Sequence, residues 1–288
     1  MYYSALLGKP VDHSISPVLF NMLTKNLPDG YAHIKIEIED EKSLGDFINY
    51  LNNLGFVGLN VTLPYKVAAI KYVDELDDSV KKVGALNTLV FKDGKSRGYN
   101  TDAIGAMNAI ELKLRKVESH GNIVVIGAGG AARAIIYEIY KRSQNITILN
   151  IDSDQAKKVS NDLSTENKKI QVFPLNDVNI KTHIAWADFI INATPVGMYP
   201  NNTEEIVSRQ IYAELGNLKN KYFFDAIFNP YNTQFLKNAD ALGAKTCSGL
   251  YMMIFQAIAA LKLWVGQDYS EIDADNIAKK LQNYLRRA

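Results

Sequence analysis

The passage from Asn122 to Tyr140 restricts this chain more than any other. Ile123-Val124-Val125-Ile126 is an unbroken apolar β-branched run, Gly127-Ala128-Gly129-Gly130-Ala131-Ala132 follows at once, and a helical pattern continues through Tyr140. Strand, glycine loop and helix in that order open a βαβ unit. Gly127 permits the tight turn, Gly129 lets a backbone approach a pyrophosphate, and Ala132 is small enough for helix and strand to pack closely. The helix start offers N–H groups and a positive dipole end to an anion. A glycine loop can be a packing turn only, but a further strand ending at Asn150 puts this one in the context of a dinucleotide site.

The residues after that second strand choose between the two nicotinamide dinucleotides, since an acid holds ribose hydroxyls and an arginine holds a 2′-phosphate. Here they read Asn150-Ile151-Asp152-Ser153-Asp154, with two carboxylates and no arginine. The local chemistry leans towards NAD, although Lys157 and Lys158 on the next helix could reach a phosphate.

A chain of 288 residues leads us to expect two domains of roughly 100–200 residues each. Tyr2–Leu7, Ala32–Ile38 and Phe56–Val61 are β-rich runs separated by helical stretches, Val18–Leu27 and Lys42–Asn53, which predicts a mainly parallel sheet covered by helices. Thr88–Lys92 and Ser96–Asn100 flank Asp93-Gly94-Lys95 and read as a hairpin forming an antiparallel edge. A helix runs from Thr101 to about Lys116. Five more strands are expected at Asn122–Ile126, Asn145–Asn150, Gln171–Phe173, Phe189–Asn192 and Tyr222–Ala226. A short strand near Lys245–Cys247 and helices Leu250–Leu263 and Glu271–Arg287 then return to the first domain. The expected organisation is α/β: residues 1–105 plus 245–288 form a discontinuous substrate-binding domain, and 106–244 a Rossmann dinucleotide-binding domain.

Thirty-two basic and 31 acidic residues leave a net charge of +1, so no global field draws the chain to nucleic acid or an anionic membrane. One cysteine, Cys247, rules out an internal disulfide and fits the cytoplasm. The most apolar window, Tyr251 to Gly266, is interrupted by Gln256 and Lys262 and falls short of the about 20 residues a span needs. His13, His33, His120 and His183 lie far apart and read as structural or surface residues, so no metal is expected.

Two polar residues stand out. Lys66 follows an apolar strand and a proline-bearing turn; Asp102 opens a helix after Asn100-Thr101. Taken singly, one is a surface cation and the other a capping residue. Taken together they make a proton-relay pair for carbonyl reduction, which needs a donor to the developing alkoxide. Ser14, Ser16, Asn60, Thr62 and Asn87 add hydroxyls and amides suited to a polyhydroxylated acid, or else cap helices and turns locally.

These segments, in order and spacing, resemble the signatures of the shikimate dehydrogenase family. They are Ser14-x-Ser16-Pro17, Gly55-Phe56-x-Gly58-x-Asn60-Val61-Thr62-x-Pro64-Tyr65-Lys66 and Gly84-Ala85-x-Asn87-Thr88. Asn100-Thr101-Asp102-x-x-Gly105, the glycine loop, Asn192-Ala193-Thr194-Pro195-x-Gly197-Met198 and Gly249-x-x-Met252-x-x-x-Gln256-Ala257 extend the resemblance over almost the whole chain. It implies reversible NADP-linked conversion of 3-dehydroshikimate to shikimate, the step that feeds chorismate and aromatic amino acids, in a cleft between the two domains. It also implies Lys66 and Asp102 as the catalytic pair, Ser14 and Ser16 on the substrate carboxylate, and Asn60, Thr62, Asn87, Asp102 and Gln256 on the rest of the substrate. Gly127, Ala128, Gly129, Gly130, Ala131, Asn150, Asp152, Thr194, Phe228, Gly249 and Met252 are the implied cofactor contacts.

Two departures stand against the family pattern. Asn150-Ile151-Asp152 replaces Asn-Arg-Thr, removing the clamp on a 2′-phosphate, and Phe228 replaces a tyrosine whose hydroxyl could reach the substrate. An NAD-dependent quinate or dual-specificity dehydrogenase is therefore the nearest rival, although Ser16 is of the shikimate type. A non-catalytic metabolite or dinucleotide sensor is the rival of another class, opposed by the intact Lys66 and Asp102. Monomer and homodimer stay equally open.

Overall fold

The computed structural model describes residues 1–267 and 272–286. The chain divides into two compact units, 1–101 with 256–288 and 102–255.

The first unit contains β1 (Tyr2–Gly8), α1 (Ser16–Thr24), β2 (Tyr31–Glu37), α2 (Leu44–Asn53), β3 (Gly58–Val61), β4 (Glu75–Leu76), α3 (Asp78–Val83), β5 (Thr88–Lys92) and β6 (Lys95–Tyr99). Its sheet runs β2-β1-β3-β5-β6-β4, parallel except at β3–β5 and β5–β6. The hairpin turn holds only Asp93 and Gly94, both at positive φ (53° and 73°), because Lys95 already pairs with Lys92. Two consecutive left-handed residues match the twist of the strands, which is why Asp-Gly stands there. The expected antiparallel edge is corrected: β4 adds to β6 in parallel and covers it. Ala5, Leu7, Leu59 and Val61 of the sheet pack against Leu44, Ile48 and Leu51 of α2, all of them buried. Burying each of these leucine, isoleucine and valine side chains contributes about 1.5–3 kcal/mol.

Helix α4 (Thr101–Lys113) starts at the last residue of the first unit's leading segment and continues into the second unit, which also contains β7 (Asn122–Ile126), α5 (Gly130–Tyr140), β8 (Asn145–Asn150), α6 (Ser153–Leu163), β9 (Gln171–Pro174), α7 (Asp177–Trp186), β10 (Phe189–Asn192), α8 (Arg209–Leu215), β11 (Tyr222–Asp225), α9 (Gln234–Ala241) and β12 (Lys245–Ser248). Its sheet is wholly parallel, in the order β9-β8-β7-β10-β11-β12. That order is the doubly wound Rossmann arrangement, with its switch point between β7 and β10. Ile123 to Ile126 are fully buried, as a central strand covered on both faces requires.

Residues 245–248 were expected in the first domain. Their strand instead pairs with β11 along its whole length, from Tyr222–Lys245 to Asp225–Ser248, and completes the second sheet. The apolar window that follows is α10 (Gly249–Val265), and α11 (Ala274–Leu285) follows it. Glu271 and Arg287, the expected ends of that last helix, lie outside the described residues.

Candidate active site

In the second unit the cofactor candidates collect at the carboxyl ends of parallel strands. Gly127 follows β7 with φ +112°, and a Cβ there would meet the Ala193 carbonyl oxygen at 3.0 Å and Thr194 Cγ2 at 3.1 Å. Gly127 and Thr194 therefore face each other across the switch point, where open α/β sheets bind their ligands. Gly129 and Gly130 are exposed, with nothing within 4 Å of where a Cβ would stand, and no side chain caps the α5 start. This loop leaves room and unsatisfied N–H groups for a pyrophosphate, and so fits a dinucleotide. Ala128 is buried beneath it, and Ala131 is exposed beside it.

Thr194 is held from below. Asn192 Oδ1 accepts from the Thr194 N–H at 3.0 Å and its hydroxyl at 2.7 Å, while Asn192 Nδ2 donates to Asp225 at 3.1 Å. Asp225 is fully buried and also accepts from the Ile227 N–H at 3.0 Å and the Thr233 hydroxyl at 2.6 Å. Burial still dominates and pushes the carboxyl up to about 6. Neither Asn192 nor Asp225 carries a pattern of its own that marks it as a support of the site. Their places inside Asn192-Ala193-Thr194-Pro195 and Asp225-Ala226-Ile227-Phe228 were the only signal.

At the end of β8, Asn150 is buried and donates to the Asp152 carbonyl at 2.8 Å and to Gln155 Oε1 at 3.0 Å. Asp152 Oδ1 caps α6, accepting from the N–H groups of Asp154 (2.9 Å) and Gln155 (3.0 Å). Ile151 is 82% exposed. Phe228 is half-buried after β11, Gly249 begins α10, and Met252 is buried in its first turns. Gly249 lies so near β11 that a Cβ would fall 2.2 Å from the Ala226 carbonyl oxygen.

In the first unit, Asn60 at the end of β3 donates to the Asn87 carbonyl (3.2 Å) and to Thr88 Oγ1 (3.1 Å). Asn87 in turn accepts from the Thr101 N–H at 2.7 Å and donates to Thr101 Oγ1 at 3.0 Å, fixing the start of α4. Thr101 Oγ1 reaches Gln256 Oε1 at 3.4 Å. Four expected or adjacent residues from distant segments thus share one polar chain, and Asn60 Oδ1 is buried there with no hydrogen-bond partner. Thr101 is the hub of that chain; its sequence context marks it only as the start of a helix within Asn100-Thr101-Asp102.

Lys66 is half-buried in the turn after β3. Its carbonyl accepts from the Leu86 N–H at 2.9 Å, and the preceding Tyr65 is buried with its hydroxyl on the Ile38 carbonyl at 2.6 Å, so the turn is tied on both sides. Thr62 is half-buried just before it, with its N–H on the Leu7 carbonyl at 2.8 Å. Asp102 is half-buried in the first turn of α4. Ser14 Oγ accepts from the Ser16 N–H at 3.2 Å, and Ser16 is buried with its hydroxyl 2.8 Å from His33 Nε2. Among the described residues, no group of three or more His, Cys, Asp or Glu could hold a metal ion, and no helix is long and apolar enough to cross a membrane.

Residues 6–89 match the family model of the shikimate dehydrogenase substrate binding domain, and residues 111–234 match that of shikimate / quinate 5-dehydrogenase. A shikimate dehydrogenase (NADP(+)) of Methanococcus maripaludis is 38% identical over 262 residues, 91% of each chain. A crystal structure of a shikimate dehydrogenase in complex with NADP+ superposes with a TM-score of 0.87 at 34% identity, covering 99% of this chain and 96% of that one. The shikimate 5-dehydrogenase of Listeria monocytogenes, in complex with shikimate and NAD, gives a TM-score of 0.87 at 28% identity, covering 98% and 96%. With both family models matched in succession and a relative this similar over nine-tenths of its length, the chain belongs to the shikimate dehydrogenase family.

Proposed function

We propose that this chain is a shikimate dehydrogenase, reversibly reducing 3-dehydroshikimate to shikimate in the cytoplasm on the route to chorismate. The observation that carries this reading is the polar chain Asn60–Asn87–Thr101–Gln256 with its unpartnered Asn60 Oδ1. A buried acceptor left unsatisfied costs about 1–3 kcal/mol, and a hydroxylated ring brings donors to such a cluster. The names of the relatives point the same way.

In this reading the first unit is the substrate domain and the second the dinucleotide domain. Ser14 and Ser16 take the carboxylate, while Asn60, Thr62, Asn87 and Gln256 surround the ring hydroxyls. A bound reduced dinucleotide supplies hydride at its nicotinamide C4. Lys66 donates a proton to the ring oxygen as the carbonyl is reduced, and Asp102 orients the substrate. Gly127–Ala131, Asn150, Asp152, Thr194, Phe228, Gly249 and Met252 hold the dinucleotide.

For the dinucleotide itself we favour NAD. Exposed Ile151 stands in place of the family's arginine, and the Asp152 carboxylate beside it repels a 2′-phosphate. Phe228, without the family's phenol hydroxyl, favours a second reading in which quinate is also a substrate. The test is a steady-state matrix of shikimate and quinate against NAD and NADP, followed by the absorbance of reduced nicotinamide. Shikimate with NAD is expected to give the highest kcat/KM. A higher value with NADP overturns the reading of Ile151 and Asp152, a higher value with quinate supports the second reading, and turnover of neither acid overturns the enzyme assignment.

A further inference from the structure

His33 sits on β2, buried, stacked on Phe20 with ring centroids 4.2 Å apart, and 6.3 Å from the Trp264 ring. Each of its nitrogens meets a hydroxyl. Nδ1 lies 2.6 Å from Ser4 Oγ, which is itself 2.6 Å from the Tyr31 hydroxyl, and Nε2 lies 2.8 Å from Ser16 Oγ. Burial lowers the imidazole to about 3, so at neutral pH it carries one proton shared between two possible nitrogens.

The position of that proton decides what Ser16 can offer a ligand. With the proton on Nδ1, the Ser16 hydroxyl donates to Nε2 and turns only lone pairs outward, which repel a carboxylate. With the proton on Nε2, Ser16 Oγ accepts from the ring, and its own hydrogen is committed outward. Ser4 then donates to Nδ1 and accepts from the Tyr31 hydroxyl, so every O–H and N–H in the row points towards Ser16. An anion at Ser16 stabilises this alignment, because chains of hydrogen bonds polarise one another where water is excluded.

We propose that His33 is a positioning residue for the substrate carboxylate: its Nε2–H, backed by Ser4 and Tyr31, fixes the Ser16 hydroxyl as a donor and makes the site selective for an acid. The proposal rests on the reading of Ser16 as a carboxylate contact. His33→Phe keeps the stacking surface and removes both nitrogens, whereas the amide nitrogen of His33→Gln reaches the place of Nε2.

The experiment measures kcat and both KM values for the wild-type enzyme, His33→Phe, His33→Gln, Ser16→Ala and the His33→Phe/Ser16→Ala double variant. Loss of the ring N–H that holds the Ser16 hydroxyl outward as a donor raises the shikimate KM about tenfold in His33→Phe, with kcat within about twofold and the dinucleotide KM unchanged. His33→Gln restores most of the affinity, and His33→Phe adds nothing in the Ser16→Ala background. If Ser16→Ala raises the shikimate KM and His33→Phe does not, the proposal fails and the reading of Ser16 stands. If Ser16→Ala leaves KM unchanged, both fail. A second measurement needs no variant: in wild-type enzyme carrying ¹⁵N-histidine and saturated with shikimate, two-bond ¹H–¹⁵N correlations should show the His33 proton on Nε2. A proton on Nδ1 in that complex overturns the proposal.

Discussion

Asp225→Asn tests whether the buried carboxylate beneath Thr194 is held at an energetic cost. The asparagine keeps an oxygen for the Ile227 and Asn192 donors and presents an amide N–H₂ to Thr233 Oγ1, so what changes is chiefly the charge. In the folded chain the carboxyl is pushed up to about 6 from an ordinary 3.8. Between those values the native state binds the proton and the unfolded chain releases it, so the parent loses stability as pH rises through the interval. Above pH 6 the full cost is present, roughly 3 kcal/mol at about 1.4 kcal/mol per pH unit. Urea titrations followed by far-ultraviolet circular dichroism at pH 4, 5, 6, 7 and 8 should therefore show the variant gaining on the parent by most of that amount between pH 4 and 8. His33 has the opposite sign: lowered to about 3, it makes the chain lose stability as pH falls below the ordinary 6.5, but it is common to both proteins and cancels in their difference. Any loss from reorienting the Thr233 hydroxyl is independent of pH and cancels likewise. A variant-minus-parent difference that stays flat from pH 4 to 8, or is larger at pH 4, refutes the reasoning.

Two further outcomes are expected at the site. Lys66→Ala should lower kcat by about 10²–10⁴ with unchanged thermal stability and dinucleotide affinity, as loss of a general acid predicts, and wild-type turnover would remove Lys66 from the mechanism. Asp152→Ser keeps a hydroxyl to cap α6 while removing the charge, so the ratio of kcat/KM for NADP over NAD should rise about tenfold with little change in melting temperature. Adding Ile151→Arg should raise that ratio further through a bidentate phosphate contact; a ratio that does not move in either variant shows that selection lies elsewhere.

Local pattern determined a good deal of this protein. β7, β8 and β10 fall on runs that are apolar except for Thr147 and the asparagines at their ends, because a strand buried on both faces is largely apolar and polar residues mark its limits. Asp93-Gly94 marked its own turn through a backbone conformation few other pairs adopt, and the glycine loop marked the turn from β7 into α5. The order and spacing of the motifs around Lys66 and Asp102 single them out as candidates, and the roles proposed for them rest on that pattern.

What tertiary structure alone decided is which distant segments meet. The four residues of β12 carry no periodicity that says which sheet they join, and only pairing with β11 assigns them to the second. β4 is two residues long, too short to signal itself, yet it covers the edge left by β6. In sequence Thr101 reads as the start of a helix and His33 as a lone structural or surface histidine. Each gains its role from partners far along the chain: Asn87 and Gln256 for the first, Ser4, Ser16 and Trp264 for the second. A hydrogen bond depends on atoms brought within 3 Å or so by the fold, and local hydropathy records which face of an element is buried but not what it is buried against.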